Sequence, residues 1–455
     1  MIMDSFKKGN DILVPYVNTG TMFDLYTGKF KPGIGDSWVL DGGLSQCLGI
    51  SGRGQTYKSS LAGSLFANAL LVHPLAEALV YETEGTIASE ERYDDFVPES
   101  TPVSKRINFY NSNDMSLTEF YEVFRQYVDY KLKNKKDFIV DSPFLNPDTG
   151  KPYKCWVPTF VIIDSYSRAR TSKGDDIYEK NTLDDPSTNT VFMVEANVKT
   201  RLMNDFPIRC TKAGMYSILT AHVGNKIDMD PYNKTPKQLQ YMKGNDKMKN
   251  VGSNFEFLTT TLVQTLGAST LYASDKDKTC RYPTKDSTPV EVNQVDTMMV
   301  RCKNNAAGIK LPFVISQYQG ILNAVTDFHF LRENKNYGLD VQGNNQAFSP
   351  IIYPDHWVRR TNIRDLCDND YALYRALELI AQLCFIQAMW STWRMPDFIR
   401  MPPEEFADKL KNSHSCSVDR VLQSTGTWST SKQERERLTI LDVLRLLTAE
   451  KKVKV

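Results

Sequence analysis

Short apolar runs alternate with amphipathic stretches through much of the chain, and this alternation predicts its fold class. The run FVII at 160–163 is typical of a buried strand. The stretch 115–133 carries apolar residues at helical spacing behind Ser116 and Glu119, which form a capping-box pattern. Other apolar segments predict strands at 37–40, 78–81, 214–220 and 295–302 and a helix at 59–72. Strands that alternate with helices indicate an α/β fold whose mostly parallel sheet is covered on both faces.

The pattern changes after about residue 330, where long helical segments replace the short apolar runs. Residues 371–392 form a long apolar segment, and residues 433–449 show an amphipathic helical pattern. We therefore expect three parts, namely an N-terminal arm at 1–18, an α/β core at 19–330 and a smaller, mainly helical domain at 331–455.

The composition is that of an ordinary globular protein, since the 455 residues carry a net charge of +1 and 41% of them are hydrophobic. A net charge near zero does not exclude nucleic acid, because a local basic loop can bind it. No apolar run approaches the roughly 18–20 residues that span a bilayer, and no signal-peptide core is visible, so we expect a cytoplasmic protein with no membrane partner. The eight cysteines lack a C-x-x-C pair, which predicts buried, reduced thiols. The five histidines lack the spacing of a zinc site.

The segment GISGRGQTYKSS at 49–60 differs at one position from the phosphate-binding pattern G-x-x-x-x-G-K-[ST]. Tyr57 stands where the pattern has its second glycine. Lys58 can neutralise the β- and γ-phosphates of a nucleotide, and Ser59 can bind Mg²⁺. The loop glycines provide backbone freedom, and we expect Tyr57 to be tolerated if its φ is negative. Taken alone, the segment fits a helix that begins after a glycine turn just as well.

Two acidic residues after predicted strands favour the nucleotide hypothesis. Asp164 ends the apolar run VIID, where a carboxylate can hold the Mg²⁺ shell through a serine or water. Glu84 follows the run at 78–81, beyond the carboxyl end of a predicted strand, which is where α/β sheets bind ligands. A carboxylate there can polarise an attacking water. Each feature alone also fits a buried strand that ends in a polar turn, but their order along the chain favours nucleotide hydrolysis.

This order of elements resembles that of the RecA-like recombinases, and the likeness extends over about residues 17–330. Residues 17–24 (VNTGTMFD) resemble the segment that leads into the RecA core, and residues 79–84 (LVYETE) resemble the strand that ends in D-x-E. Residues 216–222 (YSILTAH) resemble the strand that ends at the γ-phosphate sensor. Residues 299–305 (MVRCKNN) resemble a segment that reaches the ATP of a neighbouring subunit, with Asn305 in place of its second lysine.

The resemblance implies a RecA-like P-loop ATPase core with a twisted, mostly parallel sheet, and it assigns roles to individual residues. The catalytic roles fall on Lys58, Glu84 and His222, with His222 as the γ-phosphate sensor. Mg²⁺ would be held by Ser59 and Asp164. ATP would contact the phosphate loop, a tyrosine beside the adenine, the carboxylate near Mg²⁺ and the subunit-crossing lysine. These positions are Gly52, Arg53, Gly54, Gln55, Thr56, Tyr57, Lys58, Ser59, Ser60, Tyr93, Asp164 and Lys303.

The segment 226–250, which follows His222, combines lysines with tyrosines. It contains six lysines against three aspartates, and lysines that follow phosphates together with aromatic rings that stack on bases suit single-stranded nucleic acid. In RecA-like recombinases the loop at this position lies along DNA, whereas composition alone also fits a solvated surface loop. The candidate DNA-binding residues are Lys226, Lys234, Lys237, Tyr241, Lys243, Lys247 and Lys249. The mixed-charge segment 168–182 is a second candidate DNA loop.

The resemblance therefore predicts an ATP- and Mg²⁺-dependent DNA recombinase, similar to the phage members of the family. Such a protein would form a homo-oligomeric filament on single-stranded DNA and promote strand exchange with homologous duplex DNA, in the cytoplasm of an infected bacterium. Two alternatives fit the same sequence features. One is a hexameric RecA-fold helicase or motor that works as a ring, and the other is an ATP-binding scaffold that does not hydrolyse its nucleotide.

Overall fold

The computed structural model describes residues 12–85, 88–181, 190–225, 239–244, 246–252, 254–344, 346–393 and 400–449. The elements up to residue 164 are β1 (Ile12–Leu13), α1 (Met22–Thr27), β2 (Lys29–Pro32), β3 (Trp38–Asp41), β4 (Cys47–Gly52), α2 (Lys58–Val72), β5 (Glu77–Glu82), β6 (Ile107–Asn111), α3 (Leu117–Lys133), β7 (Ile139–Leu145), β8 (Pro152–Trp156) and β9 (Thr159–Asp164). The next elements are α4 (Ser172–Lys180), α5 (Val191–Ala213), β10 (Met215–Asn225), β11 (Asp246–Met248), α6 (Phe255–Leu258), β12 (Thr261–Thr270), β13 (Val292–Cys302), β14 (Lys310–Ser316) and β15 (Gly320–Ile321). The remaining elements are α7 (Asn323–Glu333), β16 (Leu339–Gln342), β17 (Ala347–Pro350), α8 (Ile363–Asn369), α9 (Tyr371–Trp393), α10 (Pro403–Lys411), α11 (Val418–Leu422) and α12 (Ile440–Ala449).

Ten strands form one central sheet in the order β15-β14-β13-β12-β4-β10-β9-β5-β6, with β11 paired to the end of β10. The strands from β12 to β6 in this order run parallel, and antiparallel pairs extend the sheet through β13, β14 and β15. The carboxyl ends of β4, β5, β9 and β10 therefore lie side by side, and we call this side of the sheet the carboxyl edge. The expected α/β class with a mostly parallel sheet is confirmed, and it is compatible with a P-loop-like core.

Helices cover both faces of the sheet. Within β9, Ile162 belongs to the hydrophobic core on the face covered by α2, whereas Val161 and Ile163 belong to the core on the face covered by α3 and α5. Because successive side chains of a strand point to opposite faces, a strand buried on both faces must be apolar throughout. The run at 160–163 has this property, and the helix predicted after Ser116 begins with the expected capping box to Glu119.

The strand that precedes the phosphate loop is β4, which the pattern of apolar residues did not predict. Every residue of β4 is buried, and a Cβ placed on Gly49 would lie 2.8 Å from Leu262 Cδ1 of the adjacent strand. Glycine therefore allows the side chains around β4 to pack closely. The strand predicted at 37–40 exists as β3, but β3 pairs with β2 in a separate two-stranded sheet.

The described part of the predicted N-terminal arm belongs to the core. Tyr16, Val17 and Asn18 are buried, and Asn18 Nδ2 donates hydrogen bonds to Leu40 O at 3.1 Å and Gly42 O at 2.9 Å. The arm predicted at 1–18 is therefore wrong for its last residues, because an asparagine that satisfies two buried carbonyls anchors this segment to the core.

The C-terminal region shares its hydrophobic core with the sheet instead of forming a second one. The predicted boundary at 330 falls inside α7, whose Phe328 and Leu331 are buried. Trp428 is buried against His73, with ring centroids 5.2 Å apart, and its backbone N–H donates to Asn18 Oδ1 at 2.9 Å. A boundary between 330 and 331 therefore does not separate two packing units.

The last predicted helix is shorter than its amphipathic pattern at 433–449. Helix α12 begins only at Ile440, because the Thr439 backbone N–H donates to Asp442 Oδ2 at 2.9 Å and Asp442 N–H donates back to Thr439 Oγ1 at 3.2 Å. This reciprocal cap marks a helix start. Arg437 lies before it in extended backbone and pairs with Thr425.

One helix has the length and composition of a membrane span, which the sequence-based expectation overlooked. The segment Tyr371–Met389 of α9 meets these criteria, but 67% of it is buried inside the fold. Its burial is that of a core helix in an α/β protein and is compatible with a protein outside the membrane. The eight cysteines are unpaired in the structure and seven are buried, so the predicted burial of the thiols is confirmed apart from the half-buried Cys302.

Candidate functional site

The phosphate-loop segment connects β4 to α2 at the carboxyl edge. Tyr57 adopts a left-handed conformation with φ of 58°, and so does Gln55 with φ of 58°, so the condition of a negative φ, under which Tyr57 was expected to be tolerated, is not met. A non-glycine residue in this region costs about 1–2 kcal/mol. A Cβ on Gly52 would lie 1.9 Å from Thr265 Oγ1, whereas one on Gly54 would meet nothing within 4 Å. Close packing therefore requires glycine at 52, while Gly54 has no such constraint.

Hydrogen bonds hold the loop closed from within. Thr56 Oγ1 donates to Arg53 O at 2.8 Å and lies 2.6 Å from Thr265 Oγ1 of the neighbouring strand. Lys58 is buried, and its Nζ donates to the same Arg53 carbonyl at 3.2 Å. The lysine ammonium therefore lies inside the curve of the loop, where a phosphate group would need a positive charge.

The amino end of α2 opens into this loop. Its N-cap residue is Tyr57, which makes no side-chain capping bond, so no capping side chain takes the N–H groups that a helix leaves unpaired in its first turn. These N–H groups and the helix dipole favour an anion. The Tyr57 hydroxyl points elsewhere and accepts a hydrogen bond from Gln317 Nε2 at 3.1 Å. Ser59 and Ser60 follow on the first turn of α2 and are half-buried.

Asp164 is buried at the end of β9, one strand away from β10 and two from the phosphate loop. Thr220 Oγ1 donates to Asp164 Oδ1, and Oδ2 is buried without a hydrogen-bond partner among the described residues. Burial raises the pKa of Asp164, whereas the hydrogen bond from Thr220, the nearby Ser59 hydroxyl and the Lys58 charge reduce this upward shift. An unsatisfied carboxylate oxygen near a serine hydroxyl is a donor set that suits Mg²⁺.

Glu84 lies just beyond β5 and contacts two basic side chains. Its Oε1 is 2.5 Å from His222 Nε2 and 3.9 Å from Arg168 Nε. Burial raises the pKa of Glu84, but the hydrogen bond from His222 and the charges of His222, Arg168 and Lys58 outweigh it and leave the pKa below its usual value. Glu84 is therefore a partly exposed carboxylate that stays ionised at neutral pH.

Glu82 differs from Glu84 in burial and in partners, although the two residues are close in sequence. Glu82 has no exposed surface, and its Oε2 accepts hydrogen bonds from the backbone N–H groups of Glu84 at 3.0 Å and Gly85 at 2.6 Å. Glu82 therefore shapes the turn that presents Glu84.

The structure brings four of the predicted residues together around one space. Burial lowers the pKa of Lys58, and the charges of Asp164 and Glu84 raise it in part, so these carboxylates lie within electrostatic range of the ammonium. His222 joins the group through Glu84. A lysine, a buried acid, an exposed acid and a histidine at the mouth of a phosphate-type loop can bind a nucleotide and direct a water toward it.

Tyr93 does not have the surroundings of an adenine-stacking residue. Its side chain has no exposed surface, and its ring packs 4.9 Å from that of Phe66 in the core. The adenine role predicted for Tyr93 is therefore wrong, because no face of its ring is open to a base. Sequence analysis missed Tyr318, which is 55% exposed and adjoins Gln317, the partner of Tyr57. Arg92 Nη1 donates to the Tyr318 carbonyl at 2.8 Å.

Lys303 lies at the opposite side of the sheet from the phosphate loop. Its backbone N–H donates to Thr260 O, just before the start of β12, at 3.2 Å, whereas the phosphate loop follows the end of the parallel strand β4. Lys303 is exposed and cannot reach the nucleotide site of its own chain. The Asn305 side chain donates to Tyr26 O at 3.0 Å, which ties it to its own chain.

The candidate DNA segment returns to the sheet as a hairpin with β10. β11 pairs with the end of β10, where Gly224 pairs with Lys247. Tyr241 is 39% exposed and packs on Gly308, so only part of its ring is available for stacking. Lys226, Lys234 and Lys237 lie outside the described residues. The lysines of the described part are exposed: Lys243, Lys247 and Lys249.

Arg53 connects the phosphate loop directly to this hairpin. Its Nη2 lies 2.6 Å from Asn225 Oδ1 at the end of β10 and 2.6 Å from Asp246 Oδ1 at the start of β11. Gln264 Nε2 donates to the other oxygen of Asp246 at 2.7 Å. The predicted nucleotide-binding residue Arg53 therefore also contacts the candidate DNA segment, a contact that no sequence pattern indicated.

No protein-family model matches the sequence, and no curated protein matches it. The geometry of the carboxyl edge is therefore the basis for inferring function.

Proposed function

We propose that this chain is an ATP- and Mg²⁺-dependent DNA recombinase of the RecA type, similar to the phage recombinase UvsX. It would assemble as a helical homo-oligomer on single-stranded DNA and pair that strand with homologous duplex DNA in the cytoplasm of an infected bacterium. One observation carries the proposal. The buried lysine of a phosphate-type loop, a buried carboxylate and an acid–histidine pair share one edge of the sheet with the root of a lysine-bearing hairpin.

The phosphate loop supplies positive charge and unpaired donors for a triphosphate. Lys58 would exchange its bond to the Arg53 carbonyl for oxygens of the β- and γ-phosphates. The first N–H groups of α2 would bind the same anion, since no side chain caps them. The exposed ring of Tyr318, next to the residue that contacts Tyr57, is the proposed support for the base.

The residues near Asp164 fit a magnesium ion. When bound, Mg²⁺ would neutralise phosphate charge as the bond to the leaving group breaks. Ser59 and the unsatisfied Oδ2 of Asp164 would hold it, directly or through water. Bound Mg²⁺ would also favour the ionised form of Asp164, whose pKa burial raises.

Glu84 is the proposed general base for hydrolysis. Its lowered pKa keeps the carboxylate charged, so one oxygen can accept a proton from water while that water attacks the γ-phosphorus and ADP leaves. His222, now hydrogen-bonded to Glu84, is the proposed partner of the γ-phosphate. Glu82 would keep Glu84 in place through the two backbone N–H groups that it binds.

The bound nucleotide would influence DNA binding through the backbone of His222. The Lys249 N–H donates to His222 O at 2.9 Å, so the sensor residue and the candidate DNA segment share a hydrogen bond. Lys243, Lys247 and Lys249 would contact phosphates of the single strand. Lys303 lies on the far side of the sheet, so its proposed nucleotide contact would be made to another copy in the homo-oligomer.

Two other functions use the same residues and are separated by experiment. A hexameric helicase or motor would form closed rings and unwind forked duplex DNA. An ATP-binding scaffold would bind nucleotide without hydrolysis, but the ionised Glu84 near Lys58 is an arrangement that binding alone does not need.

The test of the nucleotide site is Lys58→Ala, with Lys133→Ala as a control on the opposite side of the sheet. Loss of the buried ammonium removes the main charge opposite the β- and γ-phosphates, so we expect ATP turnover to fall by about 10²-fold or more. ATP-dependent DNA binding should be lost with it. Lys133, which is exposed, should leave both unchanged. Normal turnover in Lys58→Ala would show that this loop is not the nucleotide site.

A further inference from the structure

A buried lysine bridges the roots of the two candidate DNA loops. Lys199, on α5, is 1% exposed. Its Nζ donates to Asn250 O at 3.0 Å and approaches Ser167 O at 3.4 Å. Asn250 ends the segment 226–250, and Ser167 immediately precedes the segment 168–182. One ammonium group therefore contacts a backbone carbonyl at the end of the segment 226–250 and another immediately before the segment 168–182.

The same junction is connected to the proposed γ-phosphate sensor. Ser167 Oγ accepts a hydrogen bond from the His222 backbone N–H at 3.1 Å, and the His222 carbonyl accepts one from Lys249 N–H at 2.9 Å. His222 is thus bonded through its N–H to Ser167, just before the segment 168–182, and through its carbonyl to Lys249, near the end of the segment 226–250. Lys199 completes this set of hydrogen bonds by contacting the carbonyl groups of Ser167 and Asn250.

Burying the charged side chain of Lys199 carries a desolvation cost that an apolar side chain of similar volume would avoid. Burial lowers the pKa of Lys199 to about 8, with the nearby Glu195 charge opposing the shift, so the amine is mostly protonated at pH 7. The Tyr166 ring lies 5.7 Å from Nζ. A methionine would fill similar volume at lower desolvation cost, but it could not donate to two carbonyl groups.

We infer that Lys199 is a positioning residue that fixes the two candidate DNA loops relative to each other and to His222, so that DNA binding and ATP turnover are coupled. This inference rests on the proposed function. Lys199 itself is buried and touches neither DNA nor nucleotide. It acts through the backbone of Ser167 and Asn250.

The chain offers a matched control in a second buried lysine. Lys131 has no exposed surface, and its Nζ donates to Val157 O at 2.8 Å and Thr159 Oγ1 at 3.0 Å. Like Lys199, it lies near aromatic rings, and burial lowers its pKa, to about 7. Lys131 belongs to α3, and its ammonium group lies at the start of β9, on the opposite side of the sheet from the loops. Lys131→Met therefore reproduces the loss of a buried ammonium without touching either loop.

The experiment compares Lys199→Met with Lys131→Met in the full-length protein. The measurements are the affinity for a single-stranded oligonucleotide, ATP turnover with and without it, and the melting temperature. We expect Lys199→Met to weaken DNA binding and DNA stimulation of turnover by about 10-fold, within the usual range of coupling between sites. Lys131→Met should keep both, whatever its loss of thermal stability.

The outcomes separate this inference from the function on which it rests. If Lys199→Met keeps the wild-type DNA affinity and stimulation, or if Lys131→Met loses them equally, Lys199 has only a structural role. If the wild type neither binds single-stranded DNA nor hydrolyses ATP, the proposed function fails and this inference falls with it. Should Lys199→Met not fold, Lys199→Gln keeps a hydrogen-bond donor but is too short to reach both carbonyls. Full DNA stimulation in that variant would equally overturn the inference.

Discussion

Glu82 and Glu84 show how strongly position determines what a carboxylate can do. Glu82 is fully buried, and one of its carboxylate oxygens accepts hydrogen bonds from two backbone N–H groups. Glu84 reaches the open space near Lys58, and His222 and Arg168 lower its pKa more than burial raises it. Of the two, only Glu84 combines negative charge with access to water, so we assign the proposed hydrolysis to that residue.

Glu84→Gln should separate nucleotide binding from hydrolysis. Glutamine keeps the shape of the side chain and can still hydrogen-bond water, but it cannot take the proton or supply the negative charge. We expect ATP binding to persist, turnover to fall by about 10²–10⁴-fold, and the protein to remain bound to single-stranded DNA. Steady-state turnover and equilibrium binding of a fluorescent ATP analogue provide the measurements.

The matched variant is Glu82→Gln, whose amide oxygen can still accept from the N–H groups of Glu84 and Gly85. Its turnover should fall much less. The assignment is wrong if Glu82→Gln abolishes turnover while Glu84→Gln does not. It is also wrong if Glu84→Gln prevents ATP binding, since Glu84 would then be structural.

At the residue scale, the sequence predicted the positions of charged residues near strand ends better than the burial and direction of individual side chains. Asp164 and Glu84 could be placed because a strand of buried apolar residues locates the polar residue that follows it. The burial of Tyr93 could not be predicted, because it depends on packing against Phe66 in another element of the core. The left-handed φ of Tyr57 was not predicted either, nor was the contact of its hydroxyl with Gln317, which is distant in sequence.

At the scale of elements, the paired strands β10 and β11 bring the candidate nucleotide-binding and DNA-binding segments together. Arg53 of the phosphate loop contacts both strands of the hairpin, through Asn225 and Asp246. The exposed lysines of the hairpin region lie beside this contact. DNA that binds those lysines would therefore act on a segment already attached to the phosphate loop.

Neutralising Lys243, Lys247 and Lys249 together should weaken binding to single-stranded DNA and reduce its salt dependence. Each lost phosphate contact should lower the slope of log K against log salt by about 0.7. Titrations of a labelled oligonucleotide at several salt concentrations measure both quantities, and ATP turnover without DNA should persist. A charge-matched control neutralises Lys133, Lys135 and Lys136, which are exposed on the opposite side of the sheet. If affinity and slope match those of the control, the segment is ordinary solvated surface.

Sequence periodicity predicted β5, β9, β10 and β13 of the central sheet, but not its other strands, among them β4, which leads into the phosphate loop. Runs such as that of β9 carry branched apolar residues that few other structures accommodate. β4 reads CLGISG, and its glycine is used for close packing against Leu262, a tertiary contact that local sequence does not encode. The pairing of β11 with the end of β10 is likewise a tertiary contact that local sequence does not encode.

At the scale of the whole molecule, the C-terminal helices complete the core of the sheet. Trp428 is buried against His73 and Phe144, with ring centroids 5.2 and 5.5 Å away. Arg375 of α9 has no exposed surface and donates to Leu438 O at 2.6 Å. These contacts join the regions that composition had suggested were separate domains.

A chain that ends at residue 330 should therefore not fold as an independent domain. The truncation cuts α7 and exposes the apolar surface that Trp428 and its neighbours cover. We expect loss of cooperative unfolding and of near-ultraviolet circular dichroism, compared with the full-length protein under the same conditions. A fragment 1–330 that unfolds cooperatively and binds ATP would show that the C-terminal region is a separate domain.

The central claim is that ATP organises many copies of this chain along single-stranded DNA. Electron microscopy of the full-length protein with single-stranded DNA and a slowly hydrolysed ATP analogue tests it most directly. The account predicts long helical filaments that require both the DNA and the analogue, and that Lys58→Ala does not form. Closed six-fold rings under the same conditions would contradict it in favour of a helicase or motor, and dispersed single molecules would contradict it in favour of a scaffold.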